Sequence, residues 1–178
     1  TQADADAMAL VAATLQITAK GQPVIYYGEE IGLTGLNNYP YQTNRYDFDW
    51  SKANDSNKTY SHYKKLLSIR NAYTDVFARG TRNVVVSSDK DKYDVAAREY
   101  QGTKLYVGMN VNTKELHLPI QVTEGDASVM TDLYSGKTYV VNGGKVTVTI
   151  PSAADGGTVI LKRTGSVSSG SSSASTSE

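Results

Sequence analysis

Two carboxylates stand side by side at Glu29 and Glu30, just past the apolar run Val24-Ile25-Tyr26-Tyr27 and Gly28. Carboxyl groups serve as acids, bases and nucleophiles, but a pair works on one bond only if both reach it together. On an extended segment neighbouring side chains point to opposite faces, so Glu29 and Glu30 are poor partners for each other. Either can instead anchor a loop or touch a polar ligand, and Glu29 is kept as a candidate contact. Arg45 is the stronger candidate for binding: its planar guanidinium can donate two hydrogen bonds to hydroxyl groups while pairing with a carboxylate. The plainer alternative is a loop arginine paired with Asp47 or Asp49. Tyr41 offers a ring face for stacking, against simple packing inside its loop. Asp47, Asp49 and Asp55 raise the question of calcium, but their spacing is not that of an EF-hand loop and the turning glycine is missing. His62 and His117 lie far apart in sequence and fit structural or surface roles better than catalysis or metal ligation.

The elements that must position these groups come in two styles. Asp4 to Ala19 is expected to be a helix, with Asp4 or Asp6 at its start and Met8, Val11, Leu15 and Thr18 recurring at three- and four-residue spacing. Gly21 is a plausible left-handed stop. Val24 to Tyr27, β-branched or aromatic throughout, reads as a strand buried on both faces, with Pro23 at its first position. Such a strand needs neighbours. The long loop from Gly28 to Asn57 is rich in Gly, Asn, Tyr and Asp, and its aromatics (Tyr39, Tyr41, Tyr46 and Trp50) argue against disorder. A second helix is expected from Lys58 to about Tyr73, capped by Ser56 or Asn57, with Tyr63, Leu66, Leu67 and Arg70 on one face and Lys64 and Lys65 in water.

After Gly80 the period changes from 3.6 to 2. Eight short strands are expected: 82–87, 93–100, 104–111, 115–120, 128–134, 138–141, 145–150 and 158–162. Ser135-Gly136-Lys137, Asn142-Gly143-Gly144 and Asp155-Gly156-Gly157 mark turns between them. Regular short strands with frequent turns favour an antiparallel sandwich. Gly165 to Glu178 is Ser-rich and expected to be flexible. Tyr93, Tyr100, Tyr106, Tyr134 and Tyr139 fit ordinary packing better than a second binding face.

Composition narrows the function classes. Eighteen basic residues balance eighteen acidic ones, so no basic field points to nucleic acid and no charge run to a membrane surface. No apolar run approaches the roughly 20 residues that a membrane-spanning helix requires. Cysteine is absent, which excludes disulfides and thiolate metal sites. At 178 residues, starting at Thr1, the chain is read as the C-terminal piece of a longer protein.

Three segments carry a family resemblance. Gly21-x-Pro23-x-Ile25-Tyr26-Tyr27-Gly28-Glu29-Glu30-Ile31-Gly32 resembles the eighth barrel strand of the α-amylase superfamily of glycoside hydrolases, and Asn44-Arg45-Tyr46-Asp47-Phe48-Asp49-Trp50 resembles the segment that follows it. Tyr63-x-x-Leu66-x-x-x-Arg70-Asn71 resembles the last barrel helix, and the wording is nearest to amylopullulanase-like and neopullulanase-like members. The resemblance implies an α+β fragment: residues 1–77 from the end of a (β/α)8 barrel, residues 78–163 as an all-β antiparallel sandwich, and 164–178 as a tail or linker. It implies part of a secreted, extracellular or cell-surface, retaining hydrolase of starch, pullulan or maltooligosaccharides, with its catalytic acids upstream, so no catalytic residue is assigned here. The expected partners are an α-glucan and the upstream part of the same polypeptide. No cofactor is expected in this chain, with calcium possible in the complete enzyme. The family often has Asp-x-x-x-Arg at a glucose subsite; here Tyr41 stands where that Asp would, and Arg45 alone carries over. Two rival expectations are a non-catalytic starch-binding module and a structural cell-surface domain.

Overall fold

The structure, a computed structural model, describes residues 1–35 and 45–167. Three helices come first: α1 (Gln2–Thr18), α2 (Lys58–Ala72) and α3 (Thr74–Arg79). Eight strands follow: β1 (Thr81–Ser88), β2 (Tyr93–Tyr100), β3 (Thr103–Asn110), β4 (Leu116–Gln121), β5 (Ser128–Asp132), β6 (Thr138–Val140), β7 (Lys145–Ile150) and β8 (Thr158–Ser166). The first six-stranded sheet has the order β1-β2-β3-β8-β5-β6, and β4 pairs with β7 in a second sheet. Every pairing is antiparallel.

Period-2 patterning decides which layer each side chain enters. On β3, Tyr106 belongs to an apolar cluster shared with β4 and β7 residues such as Ile120, Val148 and Ile150. Its neighbours Leu105 and Val107 belong to a second cluster with Ala13 and Ile17 of α1, Leu66 of α2 and Phe77 of α3. On β8, Val159 and Leu161 join the first cluster and Ile160 the second. The central strands are therefore buried on both faces, with helices on one side and the β4–β7 pair on the other. Gly108 leaves no room for a side chain: a Cβ there would lie 2.6 Å from Cγ1 of Val159, its paired neighbour on β8, and 3.1 Å from Ile150 Cδ1 of the facing sheet.

The helices start and stop for identifiable reasons. α1 begins at Gln2, earlier than expected, because Thr1 and Asp4 form a capping box in which Thr1 Oγ1 accepts from the Asp4 amide at 3.3 Å. Asn57 caps α2, accepting from Thr59 N at 3.0 Å. Two buried arginines close the other ends. Arg70 donates to the carbonyls of Ile17, Ala19 and Gly21, so it serves the C-terminus of α1 and not that of its own helix. Arg98, on β2, donates to Thr18 O of α1, to Phe77 O of α3 at 2.7 Å and to Thr81 O at 3.1 Å. Helix C-termini leave carbonyls without partners and concentrate negative potential, so a guanidinium suits them without a carboxylate.

The expected buried strand at Val24–Tyr27 is not present. The segment has no ladder partner among the described residues, and Val24 is 78% and Tyr26 67% exposed. Its apolar sequence has no parallel neighbour here to cover either face. Of the expected tail 164–178, residues 164–166 continue β8, pairing as far as Ser128↔Ser166, and residues 168–178 lie outside the described residues.

Candidate functional site

The end of α1, the start of the long loop and the first turns of α2 meet around Gln16. Gln16 Nε2 donates to Val24 O at 2.7 Å and reaches Glu29 Oε2 at 3.4 Å. Gln16 Oε1 accepts from the Tyr63 hydroxyl at 3.4 Å. Burial first, then the charges of Glu29 and Glu30, push the Tyr63 phenol up to about 12, so it remains a neutral donor at ordinary pH. Glu29 Oε2 also accepts from Tyr26 N at 3.3 Å. Glu30 Oε2 accepts from Gly28 N at 2.8 Å.

Gly28 and Gly32 bracket the short 3-10 turn Glu29–Ile31 with φ of 92° and 71°. At Gly28 a Cβ would also collide with Leu33 Cδ2 at 2.6 Å, so both backbone and space demand glycine. The loop is tied to α2 by Asn57, whose Nδ2 donates to Ile31 O and to Lys52 O, each at 3.0 Å. Beside this frame the Tyr26 and Tyr27 rings lie 4.9 Å apart. Phe48 and Trp50 pair at 4.6 Å, and Trp50 is 79% exposed.

Of the candidate contacts, Glu29 is exposed and part of this frame. Arg45 is exposed, and among the described residues it pairs with neither Asp47 nor Asp49. Tyr41 lies outside the described residues. Asp49 accepts from Ser51 N at 3.1 Å and lies 3.7 Å from Lys52 Nζ, while Asp55 pairs with Lys64 at 2.8 Å. Among the described residues no group of three His, Asp or Glu gathers to hold a metal. Sequence reasoning missed Gln16 and the role of Tyr63, because a helix pattern says which face is inward and not which loop the face will hold. Trp50 enters the sequence reading as evidence against disorder and as part of the family resemblance, not as a candidate contact. The tyrosines of the strands pack as expected: Tyr106 is 2% exposed, and Tyr93, Tyr100, Tyr134 and Tyr139 rest against the two apolar clusters. His117 is exposed, 3.2 Å from Glu115 and 3.1 Å from Thr149 Oγ1.

The frame can present hydroxyl-binding groups and aromatic faces. Its carboxylates are engaged by backbone N–H groups, which favours holding over bond-breaking.

No family model matches the chain. An amylopullulanase from Thermoanaerobacter thermohydrosulfuricus is 30% identical over 170 residues, covering 87% of this chain and 11% of that protein. Over most of its own length the chain is similar to enzymes of the α-amylase superfamily. A cyclomaltodextrinase from Geobacillus thermopakistaniensis (strain MAS1) is 24% identical over 136 residues, covering 76% of this chain and 22% of the relative. The chain thus spans a minor part of the length of these superfamily relatives. The fold is shared with the crystal structure of AmyP in complex with maltose, at a TM-score of 0.72 and 17% identity, covering 91% of this chain and 35% of that one.

Proposed function

We propose that this chain is part of a retaining α-glucan hydrolase of the α-amylase superfamily acting on starch, pullulan or maltooligosaccharides. The observation that carries the proposal is the sequence shared with an amylopullulanase over 170 residues. In this reading the acid and nucleophile lie in another part of the polypeptide, at the roughly 5–5.5 Å separation that retention requires. The engagement of Glu29 and Glu30 by backbone amides supports a holding role for them. Arg45, Tyr41 and Glu29 would contact glucose units beside the cleavage point, Arg45 by paired hydrogen bonds to hydroxyls.

The exposed apolar groups give this reading a second support. Met8 and Leu15 on α1 and Val24 and Tyr26 beyond it face solvent. In the complete enzyme they would meet the remaining barrel, where Val24–Tyr27 would find parallel neighbours and residues 78–163 would stand behind as a sandwich. Extracellular or cell-surface placement and calcium in the whole protein belong to the same proposal.

The test is reducing-sugar release from starch, pullulan and maltooligosaccharides by this chain and by the longer polypeptide of its gene. The proposal expects activity from the longer polypeptide alone. An inactive longer polypeptide contradicts it, and so does hydrolysis by the 178-residue chain that is lost on changing Glu29 or Glu30.

A further inference from the structure

The junction between the helices and the sheet holds a buried histidine that the proposed function does not use. His62, near the start of α2, is 2% exposed. Its Nε2 lies 2.7 Å from Leu10 O of α1, and a carbonyl only accepts, so Nε2 carries the hydrogen. The same nitrogen is 3.1 Å from Thr14 Oγ1, which is 2.6 Å from Thr158 Oγ1 on β8. Nδ1 lies 2.6 Å from the Tyr134 hydroxyl, in the turn after β5. With the hydrogen on Nε2, the neutral ring accepts at Nδ1 and Tyr134 donates. Gly156 makes room for this bond: its φ is +97°, and a Cβ there would lie 2.7 Å from Tyr134 Oη and 3.1 Å from His62 Nδ1. One imidazole therefore joins α1, α2 and two turns of the sheet.

A second proton would have to enter at Nδ1, where the phenol already donates. The surrounding charges do not favour it. From α2, Lys65 lies over the Tyr134 ring at 5.1 Å, and Lys58 is paired with Asp155 of the turn before β8 at 3.0 Å. Asp55, before α2, is paired with Lys64 at 2.8 Å. Asp132, at the end of β5, accepts from Tyr134 N at 3.0 Å and Ile160 N at 2.8 Å. α1 contributes Leu10 O and Thr14, which carry no charge. Burial is the main cause holding the His62 pKa below its ordinary value; the Leu10 carbonyl opposes that shift and Lys65 adds to it.

We propose that the His62–Tyr134 hydrogen bond is an acid-sensitive latch, holding α1 and α2 on the sheet while the ring is neutral and releasing them when it is protonated. Because the folded chain takes this proton less readily than the unfolded one, the latch contributes fully above about pH 6.5. Its contribution is lost as pH falls from there through the folded value. The released layer carries Gln16, so acid reaches the loop frame through α1.

The test uses the whole 178-residue chain with 15N-labelled histidine. His62 and His117 are its two histidines, and His117→Gln assigns their signals. The latch requires the Nε2–H tautomer of His62 at pH 7.5 and a ring that takes its second proton below the ordinary imidazole range. Amide-exchange protection in α1 and α2, corrected for intrinsic rates, should fall between pH 7 and pH 5 while β2 and β3 stay protected. In His62→Gln that acid-dependent fall should vanish, whatever the variant's stability at pH 7. An Nδ1–H tautomer, protonation of His62 with the helices still protected, or the same fall in His62→Gln overturns the proposal. Should the variant not fold, the wild-type titration decides alone.

Discussion

Replacing Arg98 by Met should loosen the helices from the sheet. Arg98 sits on β2, is 2% exposed and donates to carbonyls at the ends of both α1 and α3. Methionine keeps much of the apolar stem and removes the donors. Three strong acceptors lose their partner: Thr18 O, Phe77 O at 2.7 Å and Thr81 O at 3.1 Å. Thr18 and Phe77 are buried, and each of their acceptors left unmatched costs about 1–3 kcal/mol. Exposed Thr81 can turn to water, and relief of the guanidinium's own dehydration offsets part of the sum. A net loss of about 2–4 kcal/mol follows. At about 2–4 °C per kcal/mol for a chain of this size, Tm should drop by about 4–16 °C. Urea unfolding gives the free energy, and amide exchange should show the last turns of α1 and α3 opening first. Arg98→Lys should fall between wild type and Met, because an ammonium keeps the charge but not the planar spread of donors. A Met variant within about 0.5 kcal/mol of wild type would refute the capping argument, because that is the range of an ordinary surface substitution.

Gly108→Ala should cost about 1–3 kcal/mol in urea unfolding, since its Cβ would sit 2.6 Å from Val159 Cγ1 between two packed sheets. On alkaline titration by ultraviolet absorbance, Tyr63 and Tyr134, both pushed up to about 12, should ionise after the exposed tyrosines. Their raised values mean that stability is lost as pH rises from about 10 through the folded values, and a single transition near 10 for all tyrosines would contradict the burial assigned to these two. Changing Leu15, Val24 and Tyr26 together to Lys should leave the unfolding free energy of the chain within about 1 kcal/mol while reducing dye binding and self-association; unchanged association would mean that this face is not the sticky one. In the complete enzyme Arg45→Ala should lower kcat/KM for longer oligosaccharides by about 1–3 kcal/mol of transition-state binding, and unchanged kinetics on every chain length would leave Arg45 without a substrate role.

Much of the secondary structure was legible because it follows local rules. The strand pattern after Gly80 and the Asn57-capped helix need only period, turn residues and caps, and the observed bounds differ by a few residues at most, as where β8 continues to Ser166. Val24–Tyr27 failed because an apolar run states that a segment wants burial without supplying the neighbour. The caps by Arg70 and Arg98 were out of reach because each links residues about 50 to 80 positions apart. His62 was read as structural or surface, and the structure places it in the interior; its partners Leu10, Thr14 and Tyr134 come from three separate elements that no local pattern joins. At the candidate site, Gly28, Glu29 and Glu30 were legible as a loop start. Gln16, which ties α1 to Val24, carried no signal of its own.

The most direct test of the functional account is proton NMR of maltooligosaccharide hydrolysis by the longer polypeptide that contains this chain. The account predicts that the first product released carries the α-anomeric signal, with the β-anomer growing in only by mutarotation, because a retaining pair of carboxyls preserves the configuration. An initial β-anomer, or no hydrolysis at all, would contradict it.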